Sequence, residues 1–178
     1  MAHISTGVEY GLHCMLYLTE PGGVREASVR DLAEWQGVPV DYLAKLFTKL
    51  HKAGLVIATE GAKGGFALAR PADQISVLDV VLAVDGDKRL FDCKEIRERC
   101  AVFDDAPPGW ATSGVCAIHS VMQQAEKRMR ESLASQTLAE IAGRVLAKSP
   151  RAFGPQVVKW FEARAANRRR DRSGAGTN

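Results

Sequence analysis

"SVRDLAEWQGVPVDYLAKLFTKLHKAGLVIATEGAKGGFALARP", residues 28–71, holds two helical patterns, a tight turn between them, and then a change of period. Ser28 with Asp31 three residues on makes a capping-box-like start, and Gly37 stops the first helix. Pro39 suits the start of the second helix and Gly54 its end. Between them Leu43, Leu46, Phe47 and Leu50 recur at helical spacing and form one apolar stripe. After Gly54 the chain reads as strand, Gly-rich turn, strand, which is a β-hairpin. Two short helices across a tight turn, followed by a hairpin, describe a winged helix–turn–helix.

A recognition helix must dock on one face and read a groove with the other. Asp41, Lys45, Thr48 and Lys52 fall opposite the Leu/Phe stripe, with Lys49 beside them. Lys63 sits at the hairpin turn, where glycines let the backbone approach phosphates. The candidate DNA-contacting set is completed by Ser28, Arg30, Tyr42 and Gly64. A lysine-rich face can also be a solvated one; the turn spacing and the wing decide for DNA. Phosphate contacts by Lys45, Lys52 and Lys63 predict affinity that falls steeply with salt. His51 lies near this surface and is read as incidental to it.

Outward from this stretch, "STGVEYGLHCMLYLTE" places Val8, Leu12, Met15 and Leu16 on one face of an amphipathic helix, with Cys14 in its core side. "SVLDVVLAVDG" is another helix, with Ser76 and Asp79 as its capping pair. From Cys116 to about Leu133 a polar-rich helix spaces Val121, Ala125, Met129 and Leu133 at fours. "TLAEIAGRVLAK" carries a full capping box, Thr137 with Glu140. A last helix is expected from Pro155 to about Arg170, and "DRSGAGTN" reads as a disordered tail. Trp35 and Trp110 read as packing residues. The fold class is mainly α with a small β-hairpin wing: a winged helix–turn–helix plus a long dimerisation helix. The expected organisation is 1–86 for the DNA-binding domain, 87–115 for a cysteine-containing loop, 116–150 for dimerisation helices and 151–178 for a C-terminal extension.

The 178 residues carry a formal net charge of +3, unevenly placed. Residues 151–178 hold seven Lys/Arg against two acids, so the first 150 sum to −2. Residues 40–70 hold five basic and two acidic side chains, and 71–126 five basic and ten acidic. A basic segment before an acidic one suggests a single anion-facing surface. No signal-peptide pattern opens the chain, and no apolar run approaches the ~18 residues of a membrane span. The expected setting is the cytoplasm, where four cysteines point to metal or redox roles before disulfides. No nucleotide-binding glycine loop or nucleophile–base pair is present, so an enzyme is not expected.

Three of those cysteines stand in "CKEIRERCAVFDDAPPGWATSGVCAIH", with the spacing Cys93-x6-Cys100-x15-Cys116-x2-His119. Soft thiolates suit iron–sulfur clusters, zinc or Cu(I), and the spacing alone does not choose among these or an oxidisable thiol.

"VRDLAEWQGVPVDYLAKLFTKLHKAGLV", "GAKGGFALARP" and "ISVLDVVLAVDG" together resemble the Rrf-type transcriptional regulators, from about residue 5 to residue 145. The resemblance implies a homodimer on double-stranded DNA at a pseudo-palindromic operator, paired through the helix at about 116–133. It also implies an iron–sulfur cluster, 2Fe–2S preferred over 4Fe–4S, and a repressor that senses redox, nitric oxide or cluster status. Cys100 and Cys116 lead the implied ligands, with Cys93, His119 and Glu9 as the further candidates. The chain departs from the family pattern at Glu60, where an arginine often precedes the wing's turn, and at Gln36, where some members place a histidine. The stretch from Cys100 to Cys116 is also longer than usual. The alternatives are a clusterless, CymR-like regulator controlled by a protein or small molecule, or a thiol- or zinc-based sensor.

Overall fold

The computed structural model describes residues 4–59, 65–104 and 106–174, the side chains of 168–174 excepted. In chain order the helices are α1 (Thr6–Leu16), α2 (Val29–Gln36), α3 (Val40–Lys52), α4 (Val77–Asp85), α5 (Gly109–Thr112), α6 (Ala117–Ala134), α7 (Leu138–Lys148) and α8 (Phe153–Gly174). Strands β1 (Val56–Thr59) and β2 (Gly65–Leu68) lie between α3 and α4. The chain forms two compact units, one of Ile4–Gly86 with everything from Leu133 onward, the other of Asp87–Ser132.

The winged unit is built as its caps and stripes require. Ser28 Oγ accepts from the Asp31 N–H at 3.1 Å and starts α2. Gly37 takes φ 67, a left-handed conformation that costs glycine little, and closes the same helix. Two residues later Pro39 opens α3, which buries Leu43, Leu46, Phe47 and Leu50. α1 lies against α3 and α4, where Gly11 faces Leu46 and Val80. Fully burying each of these large side chains stabilises the unit by roughly 2–3 kcal/mol.

β1 and β2 pair antiparallel, Val56 opposite Leu68 and Thr59 opposite Gly65. A third piece of chain joins them: Ala27 and Phe66 exchange two backbone bonds, at 3.1 and 2.8 Å. That close approach requires Gly65, because a Cβ there would stand 2.4 Å from the Ala27 carbonyl oxygen.

The starts of α4 and α7 lie side by side. Both Ser76/Asp79 and Thr137/Glu140 form complete capping boxes. The Val77 N–H donates to the Gln136 carbonyl at 2.8 Å, and the Leu138 N–H to the Ile75 carbonyl at 2.9 Å. These bonds and the fully buried Leu138 make α7, from the stretch 116–150, part of the same compact unit as the wing.

α8 also belongs to this unit. It begins two residues before the expected Pro155 and continues to Gly174, so the first four residues of the expected disordered tail are helical. Val157 and Phe161 are buried, and Tyr17, Trp35, Trp160 and Phe161 form a ring cluster with centroids 5.0–6.3 Å apart.

The Asp87–Ser132 unit is of another kind. The expected loop contains short helical turns at Ile96–Arg99 and Ala101–Phe103, then α5. Arg130 pairs with Glu126 at 3.0 Å and with Asp87, while Glu126 accepts the Leu90 N–H at 3.1 Å, which pins residues 87–90 to α6. The expected apolar row on α6 is split: Met129 and Leu133 are half-buried, Val121 and Ala125 exposed. Trp110, read as a packing residue, is 77% exposed and has Phe103 edge-on at 6.0 Å.

Candidate nucleic-acid interface and cysteine segment

α3 presents Lys45, Thr48 and Lys52 to solvent while its opposite face is sealed into the core. Neither Lys45 nor Lys52 has an ion-pair partner among the described residues, which leaves both ammonium groups available to an outside anion. The Thr48 hydroxyl donates to the Ala44 carbonyl at 2.9 Å and keeps its capacity to accept a bond. Lys49 is differently engaged: its Nζ donates to the Val84 carbonyl at 2.7 Å, at the end of α4. A cation there satisfies a carbonyl of a helix's last turn. Tyr42 is 45% exposed and stands edge-on to Tyr10 of α1 at 5.9 Å, with its hydroxyl close over Gly7.

Arg30 is exposed in the first turn of α2, beside the capping Ser28. Lys63 and Gly64, like Glu60, lie outside the described residues. At the base of the hairpin His51 Nδ1 bonds with the Val56 carbonyl at 3.0 Å and its ring meets Phe66 edge-on. It thus braces the junction of α3 and the wing.

In the cysteine unit the organising group is Arg97, which no pattern in the sequence singled out. Its guanidinium binds Glu95 and donates to three successive carbonyls, Thr112 at 3.2 Å, Ser113 at 3.4 Å and Gly114 at 3.1 Å. Five fixed donors let one arginine hold a turn of backbone in this way. Glu95 itself sits at φ 46, a left-handed position unusual for a side chain with a Cβ. The hydrogen bonds Arg97 donates to Glu95, and then the negative charges of Glu95 and of the Cys116 and Cys93 thiolates, hold its pKa above the ordinary value.

All four cysteines are free thiols. Cys14 is fully buried in α1, and burial pushes its thiol up to about 12. Cys100 is exposed where the two short turns meet, and Cys93 and Cys116 are half-buried. His119 lies in the first turn of α6 with Phe91 edge-on at 5.9 Å. Glu9 is exposed on α1, in the winged unit.

The donor types suit an iron–sulfur cluster or zinc, but the arrangement does not close a site. Among the described residues no three of His, Cys, Asp and Glu come together to hold a metal ion.

The family profile described as Rrf2, iron-dependent transcriptional regulator, matches residues 4–144. The chain belongs to the Rrf2 family. It is 33% identical over 138 residues to the protein rrf2 of Nitratidesulfovibrio vulgaris, covering 78% of this chain and 85% of that protein. It is 31% identical over 132 residues to the HTH-type transcriptional regulator IscR of Sodalis glossinidius, covering 74% and 73%. Among solved structures, T. potens IscR superposes with a TM-score of 0.61 at 30% identity, over 83% of this chain and 92% of that one. The structure of CymR, the global cysteine regulator of B. subtilis, superposes with a TM-score of 0.64 at 26% identity, over 81% and 98%. The winged helix–turn–helix fold is that of the Rrf2 regulators, whose named members are transcription regulators and not enzymes. No helix among the described residues is long and apolar enough to cross a membrane. α8 lies beyond the matched residues.

Proposed function

We propose that this Rrf2 protein is a cytoplasmic, homodimeric repressor that binds a pseudo-palindromic operator and senses redox, nitric oxide or cluster status through its cysteine segment. The observation that carries the DNA reading is the α3 face, with Lys45, Thr48 and Lys52 in solvent directly behind a sealed Leu/Phe stripe. Ser28, Arg30, Tyr42 and the wing residues Lys63 and Gly64 complete the proposed contacts. Dimerisation is supported by the apolar groups α6 leaves in water, Ile118 at 63% and Val121 at 62% exposure. Two subunits would then address half-sites about 34–36 Å apart or a multiple of that. Lys45→Ala should weaken operator binding by about 1 kcal/mol or more and lower the salt slope by about 1, with the fold intact. An unchanged affinity at fixed salt would sink this docking face.

The sensing group in this reading is an iron–sulfur cluster, 2Fe–2S before 4Fe–4S, on Cys100 and Cys116, with Cys93, His119 and Glu9 as further ligands. It is supported by the iron-dependent family description, by the IscR relatives and by three free thiols in one unit. Anaerobic purification followed by a visible spectrum, with iron, sulfide and zinc assayed together, tests it. Absorbance near 320–500 nm with matching iron and sulfide is the expected result.

The open arrangement of the donors and the likeness to CymR favour a second reading, a clusterless regulator controlled through a ligand or through thiol chemistry. Its signature is a colourless, iron-free protein whose DNA binding survives Cys116→Ala.

A further inference from the structure

We propose that the hollow at the corner of α7 and α8 binds a small aromatic carboxylate, its ring on an apolar lining that includes three prolines and its carboxylate held by Arg151 and Lys159. This rests on the second reading above, control through a ligand, and gives that reading a site and a ligand class.

The hollow has a volume of about 550 Å³ and lies wholly in the winged unit, where the link between α1 and α2 meets the turn from α7 into α8. Small-molecule sites are of this size, mostly apolar, with a few polar groups that fix orientation. Pro21, Leu146, Pro150, Pro155 and Val158 supply the apolar lining. Proline rings pack against aromatic faces, which is how aromatic grooves hold Pro-rich peptides. A proline also has no N–H, so covering these rings with a ligand strands no donor. Gly22 and Gly154 close the lining between them. A Cβ on Gly22 would stand 2.6 Å from Leu146 Cδ2, and one on Gly154 would stand 3.3 Å from the Gly22 Cα. The apolar surface is therefore packed and in place before any ligand arrives.

Arg151 and Lys159 stand at the same hollow, both exposed, and neither has an ion-pair partner among the described residues. Glu162 is the one carboxylate in the described lining, so its charges are two positive to one negative. A guanidinium presents a fork that matches a carboxylate, and an ammonium adds a second positive charge. Relief at a helix corner accounts for the hollow. It does not account for two cations without counter-ions beside an apolar lining. The residues from Leu146 to Glu162 lie beyond the stretch 4–144 matched to the family.

The hollow adjoins the packing that fixes α2. Val158 and Lys159 line it, while the flanking Val157 is buried and Trp160 meets Trp35 of α2 at 5.1 Å between centroids. A ligand that shifts this turn of α8 shifts the ring on which α2 rests.

Saturation-transfer NMR titrations of the full chain with 2-naphthoate and its uncharged isostere 2-naphthamide test the site. 2-Naphthoate should bind with a Kd of about 1 mM or tighter. 2-Naphthamide should bind about tenfold more weakly, because it lacks the charge. The double variant Arg151→Gln, Lys159→Gln should abolish that preference. Pro155→Glu places an acid in the first turn of α8, where helices accept one, so the thermal midpoint should hold while 2-naphthoate binding weakens about tenfold or more. No binding of 2-naphthoate, equal binding of acid and amide, or undiminished binding in either variant overturns the site. A separate titration of operator DNA with and without 2-naphthoate tests the coupling, and a changed affinity supports ligand control. An unchanged affinity beside charge-dependent binding removes ligand control and leaves the site standing.

Discussion

Among the described residues, twenty apolar side chains are buried, and every one of them lies in the winged unit. The Asp87–Ser132 unit has none, yet it holds Ile96, Val102, Trp110, Val115, Ile118 and Val121 at 62–78% exposure. The two regions have comparable apolar supply but opposite uses for it. In the first, helices at 3.6-residue spacing close over Phe47 and Met15, and the interior is finished within one chain. In the second, what holds the backbone is polar: Arg97 on three carbonyls, and Arg130 with Glu126 on residues 87–90. A reader of DNA has to be rigid before it meets its target. A unit held by few buried apolar contacts opens locally at a lower free-energy cost than one with a closed core.

The sharpest way to break this contrast is a pair of truncations. Phe47→Ala should cost about 4 kcal/mol of unfolding free energy, as expected for a fully buried ring, whereas Trp110→Ala should fall within about 0.5 kcal/mol. Urea unfolding of both variants measures the difference, and comparable losses would mean that the cysteine unit has a core after all.

Thiol chemistry separates the regions next. Cys93, Cys100 and Cys116 should react with Ellman's reagent in the native protein, and Cys14 only after unfolding. With the Cys14 thiol raised from 9.0 to about 12 in the fold, the unfolded chain ionises first. The folded state binds more protons between those values. Its contribution to stability is therefore intact below about pH 9 and falls on the way to pH 12, by about 1 kcal/mol per pH unit. Denaturation midpoints across pH 8–11, compared with Cys14→Ala, check the sign.

A smaller effect tests the stitching of α7. Thr137→Ala removes the acceptor of the Glu140 N–H and half of the box, and should cost about 1 kcal/mol in the same urea assay.

Much of the winged unit was legible because its signals are local. Ser28 with Asp31, Gly37, Pro39 and the Leu43–Leu50 stripe sit within a few residues of the bonds they make. The same holds for the capping boxes at Ser76 and Thr137. The pairing of Ala27 with Phe66 was not legible, since a single bridge leaves no alternation to read. Helical angle sets Lys49 beside Lys45 and Lys52, and angle says nothing of the Val84 carbonyl, 35 residues away, that its Nζ reaches. The Arg97 clamp is likewise a matter of reach across a turn. For α8 the helix was visible but its partners were not: Trp35 and Trp160 are 125 positions apart, and periodicity does not pair rings across that distance.

The end of α4 is held twice. Val84 gives its carbonyl to Lys49 of α3, and Asp85 takes both the N–H and the hydroxyl of Ser5 at the head of α1, at 2.8 and 2.5 Å. The next residue is Gly86, at φ 79, and the cysteine unit begins immediately after it. The end of α4 is thus tied to α3 and to α1 at adjacent residues, so Val84 and Asp85 can shift only if both of those helices yield with them.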